Sequence, residues 1–312
     1  MTNLEILNFN DTDFFPFPCV VTIGMFDGVH RGHQFMLQDL KKKAKDFDAK
    51  SAVITFANHP REILDSKQEK NPIELIQTKS ERYKKIEKQG VDYIFEIDFT
   101  KEFSLLSPKD FLNILQKKTQ LKALLLGYDN SFGNPNNSDF KEIVEKGEYN
   151  NTRIIQDKTA LYEQGVEISS SAIRRAIKEG NILLANKMLG EEYSLFSLVV
   201  SGFQVGRSLG FPTANLQPSA KKIIPKNGVY ATKVFYNDKM YGSVTNIGLR
   251  PTFEGRIRSV ETHIFDFKED IYNENLRVCF VDYLREEKRF ENKQNLINQI
   301  RIDVKNAKKI LA

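Results

Sequence analysis

The stretch VVTIGMFDGVHRGH, residues 20–33, decides the fold of the first half of the chain. Its first five residues are apolar or β-branched and end in glycine, which predicts a buried strand over residues 20–24. Beyond His33, apolar residues at helical spacing predict one buried helix face, made of Met36, Leu40, Ala44 and Phe47. The stretch therefore predicts a strand, a glycine-containing loop and a helix in direct succession.

The same alternation continues to about residue 160. Apolar runs at residues 52–56, 93–97 and 123–127 predict three further strands. Ser107 followed by Pro108 predicts the start of a helix, because serine is a preferred N-cap and proline is tolerated at the first helical position. Strands that alternate with helices predict an α/β domain with a parallel, doubly wound sheet.

Beyond about residue 190 the helical periodicity gives way to short strands separated by turn residues. Strands are predicted at residues 198–200, 228–235, 241–247, 260–265 and 276–283. Five or more short strands predict a β-barrel. From Lys293 onward, apolar residues spaced by three or four predict an amphipathic C-terminal helix on the barrel, with Leu296, Ile300, Val304, Ala307 and Leu311 on one face. We therefore expect an α/β domain over residues 1–186 and a β domain over residues 187–312.

The composition is that of a globular protein long enough for two domains. The chain has 312 residues, of which 40% are hydrophobic and 28% are charged, and these proportions exclude a disordered chain. Lys and Arg total 46 against 41 Asp and Glu, and the net charge of +5 is spread over short runs. This distribution does not favour a nucleic-acid-binding protein, which would cluster its basic residues along one face.

The sequence also suggests a cellular compartment. Cys19 and Cys279 lie far apart and form no CxxC motif, so we expect two buried, reduced thiols. No apolar run approaches the roughly 18 residues of a spanning helix, and no basic start precedes an apolar stretch as in a secretory signal. We therefore expect a cytoplasmic protein with no membrane partner, while the sequence leaves the oligomeric state open.

The loop after the first predicted strand carries glycines and two histidines where α/β folds bind nucleotides. Gly24, Gly28 and Gly32 let the backbone approach phosphate, and the helix N-terminus offers free N–H groups. His30 and His33 can donate hydrogen bonds to phosphoryl oxygens. Alternatively, the two rings only cap or pack the helix. A metal site is less favoured, because the chain has four histidines and no acidic partner on the same face.

A second polar cluster, residues 168–175, opens a predicted helix with three consecutive serines. One serine is explained as an N-cap, and Ser170, Ser171 and Arg174 are suited to hold a polyphosphate. A polar loop at residues 127–133 follows the fourth predicted strand, where recognition of adenine or ribose is expected.

The third cluster, GRSLGFPTAN at residues 206–215, lies in the β domain. Its glycines can admit phosphates to the backbone N–H groups. Thr213 and Asn215 supply hard oxygen ligands that suit Mg²⁺. The alternative is a plain loop with a proline turn at Pro212.

Glu261 lies within an otherwise apolar predicted strand, residues 260–264. An unpaired buried carboxylate is costly and so needs a reason. Glu261 either faces solvent, as its alternation with Val260 and Thr262 permits, or acts as a general base.

Taken together, these stretches resemble the bacterial bifunctional riboflavin kinase and FMN adenylyltransferase family, also called FAD synthetases, over nearly the whole chain. In the first domain the family patterns GxFDGVHxGH, TFxxHP, GxDFxFG and ISSTxIR match residues 24–33, 55–60, 127–133 and 168–174. In the second, GRxLGFPTANL, PxxGVYA, NIGxRPT, the strand of the catalytic glutamate and RxExxF match residues 206–216, 225–231, 246–252, 260–264 and 285–290.

The resemblance implies a Rossmann-like nucleotidyltransferase domain followed by a riboflavin kinase β-barrel with a C-terminal helix. It implies two Mg²⁺-dependent reactions: ATP and riboflavin give FMN and ADP, and then ATP and FMN give FAD and pyrophosphate. Glu261 would be the catalytic base of the kinase step, with Thr213 and Asn215 holding Mg²⁺. His30 and His33 would stabilise charge on the α-phosphate in the second step.

The remaining site residues follow from the same resemblance. In the adenylyltransferase site, ATP and its phosphates would contact Gly24, Phe26, Gly28, Gly32, Asp129, Ser170, Ser171 and Arg174. In the kinase site, ATP and flavin would contact Gly206, Arg207, Gly210, Pro212, Asn246 and Arg285.

Some positions of the first domain depart from the family pattern. Asn130 stands where the family usually has Phe, Ala57 and Asn58 where it commonly has Asp and Pro, and Ser171 where it has Thr. The loop around Asn136 lacks a basic residue often found there. These departures leave two alternatives: a monofunctional riboflavin kinase with a degenerate first domain, and a non-enzymatic flavin or nucleotide sensor.

Overall fold

A computed structural model describes residues 4–11, 13–64, 73–128, 138–202, 205–252 and 255–312. Asp129, Asn130 and Asn136 lie outside the described residues. The chain divides into two compact units, Met1–Tyr162 and Glu163–Ala312. Each unit has its own sheet and its own core.

The first unit is built on a seven-stranded sheet with the order β1-β4-β3-β2-β5-β7-β6. Its strands are β1 (Glu5–Asn8), β2 (Phe15–Ile23), β3 (Lys50–Phe56), β4 (Tyr93–Ile97), β5 (Thr119–Leu126), β6 (Glu148–Tyr149) and β7 (Thr152–Gln156). Its helices are α1 (Arg31–Asp46), α2 (Pro60–Leu64), α3 (Lys79–Lys88), α4 (Lys101–Ser104), α5 (Pro108–Lys118) and α6 (Ser138–Lys146). Every strand pair is parallel except β6 with β7.

The doubly wound sheet predicted from the sequence is confirmed. The four predicted strands are β2, β3, β4 and β5, and Ser107 caps α5 with Pro108 at its start. From β2 the chain first adds β3 and β4 on one side and later β5 and β7 on the other. The carboxyl ends of β2 and β5 therefore lie at the point where the strand order reverses, which is where open α/β sheets bind ligands.

The core of the first unit lies on both faces of the sheet. Leu124 and Leu125 are neighbours on β5, and both are fully buried. Because successive strand residues point to opposite faces, they contribute to two different hydrophobic clusters. The continuous apolar run of β5 is thus explained by helices on both sides of the sheet.

The second unit is a closed, six-stranded antiparallel barrel with flanking helices. The barrel order is β10-β11-β14-β13-β12-β15. Its strands are β10 (Tyr193–Val200), β11 (Ala214–Gln217), β12 (Gly228–Tyr236), β13 (Lys239–Thr252), β14 (Gly255–Ile264) and β15 (Asn275–Arg285). The helices are α7 (Ser170–Glu179), α8 (Ile182–Leu189), α9 (Val205–Ser208) and α10 (Lys293–Leu311), and a short ladder pairs β8 (Tyr162–Glu163) with β9 (Val166–Glu167).

The predicted barrel and C-terminal helix are also confirmed. Five barrel strands were predicted, and the sixth, β11, is only four residues long and directly follows the Gly/Pro-containing loop. Helix α10 packs on β12, β13 and β15. Its fully buried Ala307, together with Val304 and Leu311, meets the apolar side chains of β12 and β13.

The two compact units meet earlier in the sequence than the expected boundary at residues 186 and 187. Helices α7 and α8 pack on each other, and α8 also packs on β10 and β15. This packing places both helices in the second unit. That the nucleotidyltransferase domain ends at residue 186 stays a prediction.

We predict that Leu124→Ala lowers the free energy of unfolding of the first unit by about 2–5 kcal/mol, because it leaves a cavity in a fully buried strand. Leu105→Ala makes the same chemical change at a side chain that is 78% exposed, and we expect a change within about 0.5 kcal/mol. Urea unfolding followed by far-UV circular dichroism measures both. Equal losses in the two variants would contradict the assigned packing of β5.

Candidate functional site

The loop between β2 and α1 has an unusual backbone. Phe26, Gly28 and Val29 have positive φ angles of 52°, 90° and 36°. Glycine adopts such angles freely, whereas a β-branched valine does so rarely. Residues in this region are strained and persist only where the surrounding structure holds them, and strain of this kind clusters at ligand sites.

Two buried cations of α3 hold this edge of the sheet. Arg82 is 2% exposed and donates to the carbonyl oxygen of Met25 (3.1 Å) and to that of Phe56 (2.6 Å), at the ends of β2 and β3. Lys85 is 8% exposed, and its Nζ donates to the carbonyl oxygen of Gly28 at 2.9 Å. Both cations thus satisfy backbone carbonyl groups that the strand ends leave without a ladder partner.

Asp27 ties the same loop to the segment before α3. The Asp27 carboxylate is buried and accepts hydrogen bonds from the backbone N–H groups of Ile76 and Gln77, both at 3.0 Å. The loop is therefore held through a backbone carbonyl at Gly28 and a side chain at Asp27.

Sequence reasoning missed these supports, because residues 79–88 resemble a solvated basic helix. The one available signal was helical spacing. Arg82, Lys85 and Ile86 stand three and four residues apart and so share a face with an apolar side chain.

The two histidines meet face to face at the start of α1. His30 is the N-cap, and its Nδ1 accepts a hydrogen bond from the backbone N–H of His33 at 3.4 Å. The two rings stack with centroids 3.7 Å apart and planes 20° apart. The capping role is thus present, and it also brings both imidazoles to one place.

His33 is partly buried, and its surroundings disfavour the protonated imidazole. Burial, the neighbouring His30 ring and the positive charge of Lys85 together hold the pKa of His33 well below its usual value. Among the described residues, Nδ1 of His33 has no hydrogen-bond partner. A neutral imidazole can donate a hydrogen bond through one ring nitrogen, and it carries no permanent charge.

Gly24, Phe26 and Gly32, which were also predicted for this site, differ in how they are packed. A Cβ on Gly24 would come within 3.2 Å of the Phe26 ring, so a larger residue there would have to displace the ring by a few tenths of an ångström. Phe26 is 1% exposed and packs against His33, with ring centroids 5.0 Å apart. Phe26 is therefore a support beneath the imidazoles in this structure. Gly32 lies in the first turn of α1.

The serine cluster opens α7 as predicted. Ser169 is the N-cap and accepts a hydrogen bond from the N–H of Ala172 at 3.2 Å. Ser170, Ser171 and Arg174 lie within the first turn and a half of the helix, which belongs to the second unit. That they bind the same nucleotide as His30 stays a prediction.

One departure from the family pattern has a structural explanation. The Asn58 side chain accepts a hydrogen bond from the backbone N–H of Phe99 at 2.8 Å and donates to the Phe99 carbonyl at 2.9 Å. Asn58 thus links the end of β3 to the segment after β4. Asp129 and Asn130 lie outside the described residues.

In the barrel, the register of three strands places three polar residues in one row. Asn215 on β11 is opposite Glu261 on β14, and Glu261 is opposite Asn246 on β13. The row continues through Val229 on β12 to Arg285 on β15. Directly opposite residues point to the same face with Cβ atoms about 5 Å apart. Residues predicted separately therefore form one site.

This row lines a cavity of about 500 Å³ on the face of the barrel that α10 covers. The predicted residues that line it are Gly206, Thr213, Asn215, Asn246, Glu261 and Arg285. Its walls are largely apolar and include Leu209, Phe211, Val244, Phe290, Leu296, Ile300 and Val304. Size and composition are those of a small-molecule site. Glu261 therefore lines this cavity, and its role as a general base stays a prediction.

An ion pair closes one side of the cavity. Arg285 donates to both carboxylate oxygens of Asp303 on α10, from Nε to Oδ1 at 2.9 Å and to Oδ2 at 3.1 Å, and from Nη2 to Oδ2 at 2.7 Å. Asp303 is 3% exposed and also accepts a hydrogen bond from Gln299 at 2.9 Å. Such a bidentate pair fixes the guanidinium plane and joins α10 to β15. Sequence reasoning found Arg285 but not Asp303.

A second, smaller cavity of about 190 Å³ lies beside the first. Predicted Arg207 and Pro212 line it, together with Phe267, Lys268 and Tyr272. Thr213 lines both cavities. Gly210 has a φ of +82° in the connecting turn and lines neither. The glycine-containing segment thus runs between two adjoining spaces.

The oxygen donors in this segment suit a small, hard cation. A Cβ on Gly206 would lie 2.4 Å from the carbonyl oxygen of Phe211 and 3.3 Å from Oγ1 of Thr213, so only glycine permits this close approach. Hydroxyl, amide and carboxylate oxygens of Thr213, Asn215 and Glu261 are the donor types that Mg²⁺ prefers. Among the described residues no group of three or more His, Cys, Asp and Glu side chains forms a metal site.

Comparisons with known proteins match both halves of the chain. A family model described as FAD synthetase matches residues 15–172, and one described as riboflavin kinase matches residues 189–311. Relatives named bifunctional riboflavin kinase/FMN adenylyltransferase include one from Buchnera aphidicola, 36% identical over 98% of this chain and 96% of its own. Another, from Escherichia coli strain K12, is 35% identical over 91% of this chain and 90% of its own.

A solved structure shares the fold. The crystal structure of a protein from Streptococcus pneumoniae, described as a macrolide-efflux protein, has a TM-score of 0.88 and 30% sequence identity and covers 98% of both chains. That description is of the other protein. Within the described part of this chain, no helix is long and apolar enough to cross a membrane.

Both halves of the chain thus match the two halves of one kind of enzyme, in the same order and over nearly the full length of its members. The chain belongs to the family of bifunctional riboflavin kinase/FMN adenylyltransferases.

Proposed function

We propose that riboflavin is phosphorylated in the cavity that contains Glu261, and that FMN is adenylylated at the stacked histidines His30 and His33. The observation that carries the proposal is the row of Asn215, Glu261 and Asn246 in a cavity whose walls are largely apolar. The family as a whole phosphorylates riboflavin to FMN and adenylylates FMN to FAD, so each activity is assigned to one site.

In the kinase step the apolar walls bind the flat flavin ring and the polar row meets the ribityl chain. The Glu261 carboxylate accepts the proton of the ribityl 5′-hydroxyl as its oxygen attacks the γ-phosphorus of ATP, and ADP leaves. The smaller cavity beside Thr213 has room for part of the nucleotide, with Arg207 as a cation near its phosphates. Little covalent chemistry is required of the protein, because phosphoryl transfer depends mostly on positioning and charge neutralisation.

Thr213 and Asn215 would hold Mg²⁺ at the junction of the two cavities. When bound, the ion neutralises the phosphate oxygens and orients the transferred group. Gly206 and the first turn of α9 leave the backbone open to the phosphates at that point.

In the adenylyl step a phosphate oxygen of FMN attacks the α-phosphorus of ATP, and pyrophosphate leaves. The FMN phosphate is already ionised, so no general base and no covalent enzyme intermediate are needed. The imidazole of His33 donates a hydrogen bond as charge accumulates on the α-phosphate, together with His30. Ser170, Ser171 and Arg174 hold the β- and γ-phosphates.

We also propose that the enzyme works in the cytoplasm on ATP, riboflavin and FMN. Cys19 and Cys279 are both buried and unpaired, and burial raises the pKa of each thiol to about 11. Such thiols stay protonated and unreactive near neutral pH. They act as packing residues, which is consistent with a reducing compartment.

Glu261→Gln is predicted to reduce FMN formation from riboflavin by at least about 10²-fold, because the amide cannot accept the hydroxyl proton. Adenylylation of supplied FMN should remain within twofold of wild type. Chromatography of the flavins formed with ATP and Mg²⁺ measures both rates. Glu291→Gln, an exposed carboxylate just before α10, is the matched control and should change neither. No conversion of riboflavin by the wild-type chain would support a non-enzymatic sensor.

His33→Ala should have the opposite pattern. We expect FAD formation from FMN to fall by about 10²–10³-fold, the usual loss when one donor to a developing negative charge is removed. Riboflavin phosphorylation provides the internal control and should be unchanged. Loss of both activities would count against two separate sites. A wild-type chain that accumulates FMN alone would instead support a monofunctional kinase.

Asp303→Asn is predicted to raise the KM for riboflavin and to lower the free energy of unfolding of the barrel unit by about 3 kcal/mol, because it leaves the Arg285 guanidinium without its carboxylate partner. Asp266→Asn removes the exposed partner of Lys308 and is the matched control, with an expected change within about 0.5 kcal/mol. Riboflavin titration and urea unfolding test both. An unchanged KM would exclude a role for this ion pair in shaping the cavity.

A further inference from the structure

Lys85 is a buried ammonium group that the reaction steps above do not use. It lies on α3, and its Nζ donates to the Gly28 carbonyl, 57 residues away in sequence, at 2.9 Å. Burying a lysine costs free energy unless its N–H groups donate hydrogen bonds. An amphipathic helix also has an exposed face on which a lysine carries no such cost. Lys84, its neighbour on the same helix, is exposed.

Lys85 contacts the most strained part of the loop between β2 and α1, residues 24–30, which we call the histidine loop. Gly28 lies between Phe26 and Val29, two residues other than glycine with positive φ angles. The Gly28 carbonyl belongs to the same peptide group as the Val29 N–H, which donates to the Phe26 carbonyl at 3.1 Å. A donor on the Gly28 oxygen therefore fixes the orientation of a peptide within the turn that leads directly to His30.

Lys85 also affects His33 through its charge. The groups that influence the His33 imidazole are His30 from the same helix start and Lys85 from α3, and the Phe26 ring packs beside it. Asp27, the acidic side chain of the loop, is bonded to the N–H groups of Ile76 and Gln77. The cation of Lys85 opposes a second positive charge at His33 and so favours its neutral form.

We propose that Lys85 is a positioning residue for adenylyl transfer: its ammonium group holds the Gly28 peptide of the loop between β2 and α1 and acts on the His33 imidazole, which donates a hydrogen bond to the nucleotide phosphate. The proposal rests on the proposed role of the histidine pair and adds a residue to it. Lys85 itself does not contact the reacting atoms. It acts through the loop and through His33.

The experiment uses the full-length chain and three substitutions of one side chain. Lys85→Met removes the donor and the charge, Lys85→Gln keeps a donor without the charge, and Lys85→Arg keeps both. Lys84→Met is the matched control. The chain contains only four histidines, so selective labelling of histidine lets the titration of each ring be followed by NMR, with His33→Ala used to assign the His33 signal.

We expect the titration midpoint of His33 to move to higher pH in Lys85→Met and Lys85→Gln and to stay in place in Lys85→Arg and Lys84→Met. We expect the kcat for FAD formation from FMN to fall at least tenfold in Lys85→Met, while riboflavin phosphorylation stays within twofold. Lys85→Gln could show the same shift of the His33 midpoint but a smaller loss of kcat than Lys85→Met. The difference in kcat between the two variants would then measure the contribution of the hydrogen bond to Gly28.

An unchanged His33 midpoint in both uncharged variants would overturn the proposal, and so would an unchanged rate of FAD formation in Lys85→Met. If Lys85→Met does not fold, the midpoint and the rate in Lys85→Gln decide. The test is distinguishable from failure of the proposed function. If His33→Ala retains full adenylylation, the role of the histidine is wrong, whereas the NMR titration still reports whether Lys85 controls its charge.

Discussion

Backbone carbonyl groups at the carboxyl edge of the parallel sheet need donors, and two buried cations of α3 supply them. Arg82 serves the ends of β2 and β3, and Lys85 serves the loop that follows β2. A buried carbonyl without a partner costs about 1–3 kcal/mol. The loop adds the cost of its positive φ angles at Phe26 and Val29. Hydrogen bonds from α3 therefore help to hold the loop that carries the histidine pair.

A comparable constraint in the barrel is strand register. Glu261 points to the cavity because Thr262 and Thr245, on the opposite face of β14 and β13, are fully buried and join their hydroxyl groups at 2.9 Å. Thr232 extends this network from β12 to Ser243 at 2.7 Å. A slip of one residue would exchange the two faces and place the Glu261 carboxylate where these hydroxyls lie. The buried hydroxyl network thus disfavours a register shift that would move Glu261 away from the cavity.

Local patterns in the sequence were enough for the architecture and for part of each site. The apolar run at β2, the proline at the start of α5 and the periodicity of α10 report local geometry, so the elements could be predicted. Residues that act through distant partners could not. Asp303 is 18 residues from Arg285, and Lys85 is 57 residues from Gly28. Nothing in the composition of α3 or α10 says which charged side chain turns inward, because that depends on what the helix packs against.

The same argument explains why the surroundings of Glu261 were left open and why strand β11 was missed. Alternation along β14 correctly separates Glu261 from Val260 and Thr262, but it cannot say whether the second face meets water or a covering helix. Helix α10 covers it. Strand β11 is recognisable only through its pairing with β10 and β14, because its four residues follow a loop and carry too little periodicity of their own.

The two proposed reactions make different demands on the residues around them. The described residues that line the Glu261 cavity belong to the second unit, and the histidine pair belongs to the first. In the proposed kinase step a hydroxyl group has to lose its proton, so a carboxylate in the row with Asn215 and Asn246 is a suitable acceptor. In the proposed adenylyl step the nucleophile is a phosphate that is already ionised, so neutral hydrogen-bond donors are sufficient and no base is needed. The difference between the two nucleophiles thus explains why an acidic side chain is proposed at one site and imidazoles at the other.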